Sequence, residues 1–368
     1  MRAVVCHETT LGMEGCGHVG RKLSQRLMRR PLIGLDIDSC SVRMVRLRRN
    51  EDGYVVAGAA ISEIAPVDND PELHRANTIE AIIACFEALG AGKKMAVCGL
   101  RGSEVIVRGF EFPGLPPEEV RGAVELEASQ MCPFSAGEGT LDHQVTTSQD
   151  VRTRGFWVAA SRRQVEDKRQ LVREAGLQCV LMDIDGLALL NCFENVRDAK
   201  DNADETKSAI LDVGDLHASL AVVDSADRPF VRDIRCGSRD ILACMSRDTK
   251  MTPEDISAAL LAKADSDDVQ LRRSLEGACV GLLDEIFSTL RYYSSQNRST
   301  RVGRMLVCGS FARAQGFIEF LAARLPLEVI LWDPVGRMPR EEDAACEAVV
   351  RQAGPALAVA AGLAMRMI

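Results

Sequence analysis

Asp36 and Asp212 stand at matching points of a repeated pattern. Each ends an apolar run and opens a short polar turn into a second apolar run, LIGLDIDSCSVRMVRL over 32–47 and AILDVGDLHASLAVV over 209–223. Turns of this kind can present consecutive backbone N–H groups to phosphate oxygens. An aspartate at the end of the first strand could hold a hydrated Mg²⁺, an ion that keeps most of its waters and uses few carboxylates. The same aspartates could equally close ordinary hairpins. Two further segments mimic nucleotide motifs without their spacing. GCGHVG at 15–20 does not directly follow its strand, and GAGKK at 90–94 lacks both the leading Gly and the following Ser or Thr of a phosphate loop.

The repeat continues downstream. RRNEDG and a strand from Gly53 follow the first copy, and DSADR with a strand from Pro229 follows the second. Each half therefore opens with three strands joined by hairpin turns. Between them the apolar period becomes helical, over Ile79 to Ala88 and Arg163 to Ala175. Thr252-Pro253-Glu254-Asp255 marks a helix start. A long helix is expected over 268–297, with a stripe of Leu275, Cys279, Leu282, Leu283, Ile286, Leu290 and Tyr293. The charged stretch RDAKDNADETK at 197–207 reads as the exposed connection between halves.

Composition narrows the function classes. An apolar fraction of 46% over 368 residues suffices for two globular domains. A net charge of −8 argues against a general nucleic-acid binder. Thirteen cysteines without one CxxC pair suggest reduced thiols in a cytosolic compartment and no zinc site. The run from Ala356 to Met365 is half the ~20 apolar residues of a membrane span. Arg21, Lys22, Arg26, Arg29 and Arg30 give the first thirty residues a basic character, expected to be a disordered extension.

Several segments, taken in order, carry a family resemblance. GLDIDSCSVRMVRL at 34–47 resembles the first phosphate loop of PilM proteins, the actin-like members of type IV pilus systems. VIVRGFEFPGLPPEEVRGAVELEASQMCPF at 105–134 is similar to the segment that carries their inserted subdomain. GFWVAASRRQVEDKRQLVREAGLQCVLMDIDGLALLN from 155, RMLVCGSFARAQGFIEFLAARLPLEVILWDP from 304 and GPALAVAAGLAMR from 354 resemble the stretch into the second half, the adenosine element and the closing helix. The resemblance covers nearly everything from Pro31 onward.

It implies an α/β chain with a duplicated actin-like ATPase fold of ribonuclease H-like halves and an FtsA-type inserted subdomain. The first domain would span 31–200 with the insertion at about 101–160. The second would span 208–355 with a helical subdomain at about 240–300, and residues 356–368 would pack back on the first. By resemblance, Asp36, Ser39 and Ser41 line the first phosphate loop, Asp212 and Gly214 the second, and Gly309 and Ser310 the nucleoside pocket. Asp36 and Asp212 would hold Mg²⁺ with ATP, and Asp185 would sit near the attacking water.

The partner it implies is the N-terminal peptide of PilN, a membrane-anchored protein, held beside the insertion at Phe110, Phe112, Leu115 and Glu118. A basic peptide residue would face the acids of 118–127. The chain would then be a cytoplasmic scaffold, peripheral to the inner membrane and at most a weak ATPase, with contacts to other pilus proteins or to further copies of itself. An actin-superfamily small-molecule kinase and an FtsA-like filament former are the alternatives. Asp38, Asp215, Leu216, His217 and Phe311 depart from the family pattern. A carboxylate at ~5 Å from a phosphate charge costs about 3 kcal/mol at an effective dielectric near 20, so Asp38 is expected to weaken nucleotide binding. Arg43 is expected either to offset that charge or to face solvent.

Overall fold

The computed structural model describes residues 32–51, 53–92, 94–135, 137–149, 151–197, 207–223, 229–262, 268–296, 301–341 and 346–366. The basic extension at 1–30 and most of the expected connection at 197–207 lie outside the described residues.

The first half begins with β1 (Ile33–Ile37), β2 (Ser41–Asn50) and β3 (Gly53–Glu63). Helix α1 (Pro71–Leu89) follows, started by Asp70, whose side chain accepts from the N–H groups of Glu72 and Leu73. β4 (Met95–Leu100) returns beside β1, and β8 (Gln178–Ile184) completes a sheet of order β3-β2-β1-β4-β8. β1 pairs antiparallel to β2 and parallel to β4. Its residues Ile33 to Asp36 are all buried, as expected for a strand covered on both faces.

The second half repeats this plan with β9 (Lys207–Val213), β10 (Ala218–Val223), β11 (Phe230–Ile234), β12 (Val302–Cys308) and β13 (Glu328–Leu331), in the order β11-β10-β9-β12-β13. The registers correspond. Asp36 lies opposite Arg43 in one hairpin, and Asp212 lies opposite Ser219 in the other.

Between β4 and α3 (Arg162–Glu174) the chain builds a separate small layer. It comprises β5 (Val105–Pro113), α2 (Pro117–Met131), β6 (Gly139–Gln149) and β7 (Arg152–Ser161), with a three-stranded antiparallel sheet of order β5-β7-β6. Its own core contains Phe110, Val120, Val124, Ala128, Trp157 and Ala159.

The expected helix at 268–297 is two helices, α7 (Val269–Ala278) and α8 (Val280–Gln296), after α5 (Ser238–Thr249) and α6 (Pro253–Leu261). Gly277 and Gly281 flank the break at Cys279 and lower helix propensity there by about 1 kcal/mol each. The stripe residues Leu275, Cys279, Leu282, Leu283, Ile286 and Tyr293 are nonetheless all in the core of this half.

After α9 (Phe317–Arg324), α10 (Pro334–Arg337) and α11 (Glu347–Ala353), the chain ends in α12 (Ala358–Ala364), every residue of which is buried. α12 lies against β1 and against α4 (Asp185–Val196), where Asn191 donates to the Gly362 carbonyl at 2.8 Å. The parallel strands β4, β8, β9 and β12 all point their carboxyl ends at one crevice, the position where open α/β sheets bind ligands.

Candidate functional site: a cleft filled by its own ion pairs

Five segments meet at that crevice. β1 and its turn bring Asp36, Asp38 and Ser39; β4 brings Arg101, one residue past its end; β8 delivers Asp185 at the first turn of α4. β9 and its turn bring Asp212, Gly214 and Asp215, and β12 brings Gly309. Asp36 and Asp212 therefore belong to one cleft, each within reach of the same Arg101 guanidinium, at 2.5 Å and 3.9 Å.

Arg101 is the centre of the site, and sequence reasoning missed it. Its Nη2 donates to Asp36 and its Nε to Asp185, while Nη1 lies 3.7 Å from Asp38 and 3.9 Å from Asp212. Its backbone is equally fixed. The carbonyl accepts from Gln164 Nε2 at 2.7 Å, and the next N–H, that of Gly102, donates to Asp233 at 2.6 Å. Arg43, one of whose expected positions was solvent, is buried instead. It donates to Asp36 at 2.8 Å and to the Ser41 hydroxyl at 2.9 Å, and approaches Asp38 at 3.4 Å. The pleat turns it inward, because an arginine opposite a buried aspartate is the pair that permits both charges to be buried.

The two hairpins touch each other. Asp38 Oδ1 accepts from its neighbour Ser39 N–H at 2.9 Å, and Oδ2 accepts from Asp215 N–H in the opposite hairpin at 3.1 Å. Ser39 Oγ donates to Asp215 Oδ2 at 2.6 Å, and that carboxylate also receives Arg239 at 2.5 Å. The hydroxyls of Ser39 and Ser41 are thus engaged by Asp215 and Arg43. Gly214 packs where a Cβ would lie 2.9 Å from both Arg101 and Asp38.

At the expected nucleoside pocket, Gly309 has φ +97° and a Cβ there would lie 2.5 Å from the Val213 carbonyl. Ser310 Oγ points at that same carbonyl at 3.5 Å. Phe311 is buried and meets Phe317 edge-on at 5.1 Å between ring centres, so it fills the core of the second half.

ATP with Mg²⁺ does not fit the cleft so arranged. The cation position between Asp36 and Asp212 holds a guanidinium, and the N–H groups of Ser39 and Asp215 are given to Asp38. Asp36 and Asp212, the expected metal ligands, both face Arg101, whose guanidinium lies between them. Asp185, expected beside an attacking water, is instead an acceptor for Arg101, and its Oδ1 is buried without a hydrogen-bond partner.

Two arginines face four carboxylates here, and burial, modified by these neighbours, sets the protonation. Burial pushes the Asp185 carboxyl up to about 8, with Arg101 opposing and Asp36 adding to the rise. Burial likewise pushes Asp212 up to about 6, against the pull of Arg101. Asp38 is different. Burial raises it, yet Arg101, Arg43 and the two N–H donors outweigh burial and hold it well below the usual carboxylate range.

The sign of the linkage follows. In the folded state Asp185 and Asp212 keep protons that the unfolded chain has released above about pH 4, so their contribution to stability is full below that value and is lost as pH rises through about 6 and about 8. Asp38 acts oppositely, at the acid end. The melting temperature is therefore expected to fall from pH 5 to pH 9, and Asp185→Asn to flatten the part between 7 and 9. Scanning calorimetry over that range measures both; an unchanged slope in Asp185→Asn would assign the effect elsewhere.

The expected partner residues divide between core and surface. Phe110 is 2% exposed and stacks on Phe112 at 4.8 Å inside the insertion's own core, and Leu115 packs against that core. Phe110 cannot reach a peptide because the sheet and α2 enclose it. Glu118 is exposed on the first turn of α2. A groove beside the insertion lies between β5 and β11. It has a volume of about 450 Å³ and is lined by Val105 to Gly109, His217, Pro229 to Asp233, Arg235 and Tyr292, among others.

A family model, that of the type IV pilus assembly protein PilM, matches residues 34–368. The chain belongs to the PilM family. A solved PilM-PilN type IV pilus biogenesis complex is 21% identical, with a TM-score of 0.77 over 92% of this chain and 98% of that one. The ethanolamine utilization protein EutJ from Carboxydothermus hydrogenoformans is 14% identical, with a TM-score of 0.51 over 91% and 89%. A diol dehydratase-reactivating factor, in nucleotide-free form, is 9% identical at the same TM-score over 91% and 99%. The fold is the actin-like ATPase fold of the PilM family. No helix among the described residues is long and apolar enough to cross a membrane.

Proposed function

We infer that this chain is a scaffold of the type IV pilus machinery that holds the N-terminal peptide of a PilN-type membrane protein in the groove between β5 and β11. The match of the PilM family model to residues 34–368 carries this reading. A chain whose described helices are all too short or too polar to span a membrane would reach the inner membrane through such an anchored partner.

The groove suits an extended peptide. β5 and β11 are both edge strands, each paired on one side only, and an unpaired edge offers main-chain hydrogen bonds to an added strand. Phe230 and Tyr292 give apolar surface, and Arg108, Arg232 and Arg235 give it positive charge. Acidic peptide side chains fit these arginines, whereas a basic peptide residue would face Glu118 on the exposed first turn of α2. The kinase alternative needs an open phosphate cleft, which the Asp38 and Asp215 contacts close. ATP and Mg²⁺ would have to displace Asp38 and Arg101 to enter.

Titration of a fluorescently labelled PilN-type N-terminal peptide tests the site. Reversing Arg232 and Arg235 together to Glu is expected to weaken binding about tenfold, the effect of roughly 1.4 kcal/mol. Glu118→Lys should change it less than about twofold. The opposite pattern would move the peptide onto α2.

A further inference from the structure

We propose that Asp38 and Arg101 form a resident anion and cation that take the places of a phosphate group and its divalent ion, so that the cleft is closed by the chain's own side chains and nucleotide must compete with them. This rests on the cleft alone and is independent of the peptide reading.

The anion half is Asp38. A phosphate in a cleft of two hairpins would accept N–H groups from both turns; Asp38 does this, accepting from Ser39 on its own turn and Asp215 on the other. The cation half is Arg101. A divalent ion would sit between carboxylates from the two halves; the guanidinium contacts Asp36 and Asp185 from the first half and Asp212 from the second. Arg101 and Asp38 also face each other at 3.7 Å, as an ion faces its phosphate.

Two further observations mark this as a built arrangement. Asp185 Oδ2 holds Arg101, while its Oδ1 is buried against Gly99 of β4 without a hydrogen-bond partner, so the carboxyl that meets the cation is fixed by packing. Arg101 is locked through its backbone at both sides, by Gln164 and by Asp233 of β11, so the second half helps to hold the cation in place. Ser39 and Asp215 add a direct bond between the hairpins at 2.6 Å. The consequence is a scaffold whose two halves are joined in the absence of nucleotide.

The test compares wild type, Arg101→Ala, Asp38→Gly and the double variant by thermal shift and calorimetric titration, with MgCl₂ alone and with Mg-ATP as probes. Wild type is expected to shift by less than about 1 °C with either probe. Arg101→Ala exposes uncompensated carboxylates and melts lower, and Mg²⁺ alone should raise its midpoint by about 5 °C, the shift expected at a hundredfold excess over Kd. The double variant should respond more to Mg-ATP than either single variant. Tight wild-type binding of Mg-ATP would overturn the proposal, as would equal Mg²⁺ shifts in wild type and Arg101→Ala. Should Arg101→Ala fail to fold, the wild-type titrations and Asp38→Gly still decide: a gain of Mg-ATP affinity in Asp38→Gly supports the anion half, and none refutes it.

Discussion

Gly34→Ala is expected to lower the unfolding midpoint by about 10 °C. Gly34 lies in β1 with its backbone directly against α12. A Cβ at this position would sit 1.8 Å from the Ala360 carbonyl oxygen and 2.6 Å from the Ala364 nitrogen. Both neighbours are helix backbone, so no side chain can swing aside; α12 or β1 must move by more than an ångström. Overpacking of a close-packed interior costs typically 1–3 kcal/mol, and a clash with backbone falls at or beyond the upper end, about 3–5 kcal/mol. At about 2–4 °C per kcal/mol for domains of this size, the midpoint shift follows. Gly122→Ala is the internal control. It sits on an exposed turn of α2 with nothing near its Cβ position, and alanine there should stabilise by up to about 1 kcal/mol. Thermal melts followed by circular dichroism separate the two. A Gly34→Ala midpoint within about 2 °C of wild type would mean that α12 is not seated on β1.

The damage should extend to the cleft. β1 carries Asp36 two residues beyond Gly34, and α12 also supports β4, where Leu363 lies 3.3 Å from the Cβ position of Gly99, two residues before Arg101. The strands that present both partners of the central ion pair therefore rest on one helix.

How much of this was written in the sequence differs by feature. The duplicated hairpins were legible because a repeat of apolar run, aspartate and turn survives in a single sequence, and the two sheets have the matching strand orders it implies. The family was legible for the same reason, through several segments in a fixed order. Arg101 was not, because an arginine one residue past a strand matches no periodicity; its role comes from four carboxylates supplied by segments up to 111 residues away, the separation of Arg101 from Asp212. Arg43 was misplaced between two options because strand alternation assigns a face but not what that face meets. The burial of Phe110 has a signal in the sequence. Phe110 and Phe112 share a strand face, and Val120, Val124 and Ala128 recur at four-residue spacing just after, which is the signature of a strand and a helix packing on each other. That pattern points to a core before it points to a partner.

Arg366→Met is expected to destabilise the chain by about 3–5 kcal/mol, although the substitution keeps most of the side-chain volume. Arg366 follows α12, and its guanidinium is paired with Asp183 at 1% and 0% side-chain exposure. Asp183 lies on β8, two residues before Asp185, so this ion pair fastens the end of the chain to the strand that delivers an acid to the cleft. A charge so deeply buried is tolerated only with its partner. Removing one member leaves the other desolvated, and that costs several kcal/mol, whereas replacing both by neutral groups is often close to neutral. The double variant Asp183→Asn with Arg366→Met should therefore recover most of the loss, giving a coupling energy of about 2–3 kcal/mol in a double-mutant cycle. Urea unfolding midpoints of the four proteins supply the cycle. If the two single losses simply add in the double variant, the pair is not coupled, and α12 is held by its packing on β1 and α4 and by the Asn191 hydrogen bond without it. If the double variant recovers as expected, the closing segment is fixed by charge as well as by shape. Its docking then sets the position of β8, and through Asp185 the position of Arg101.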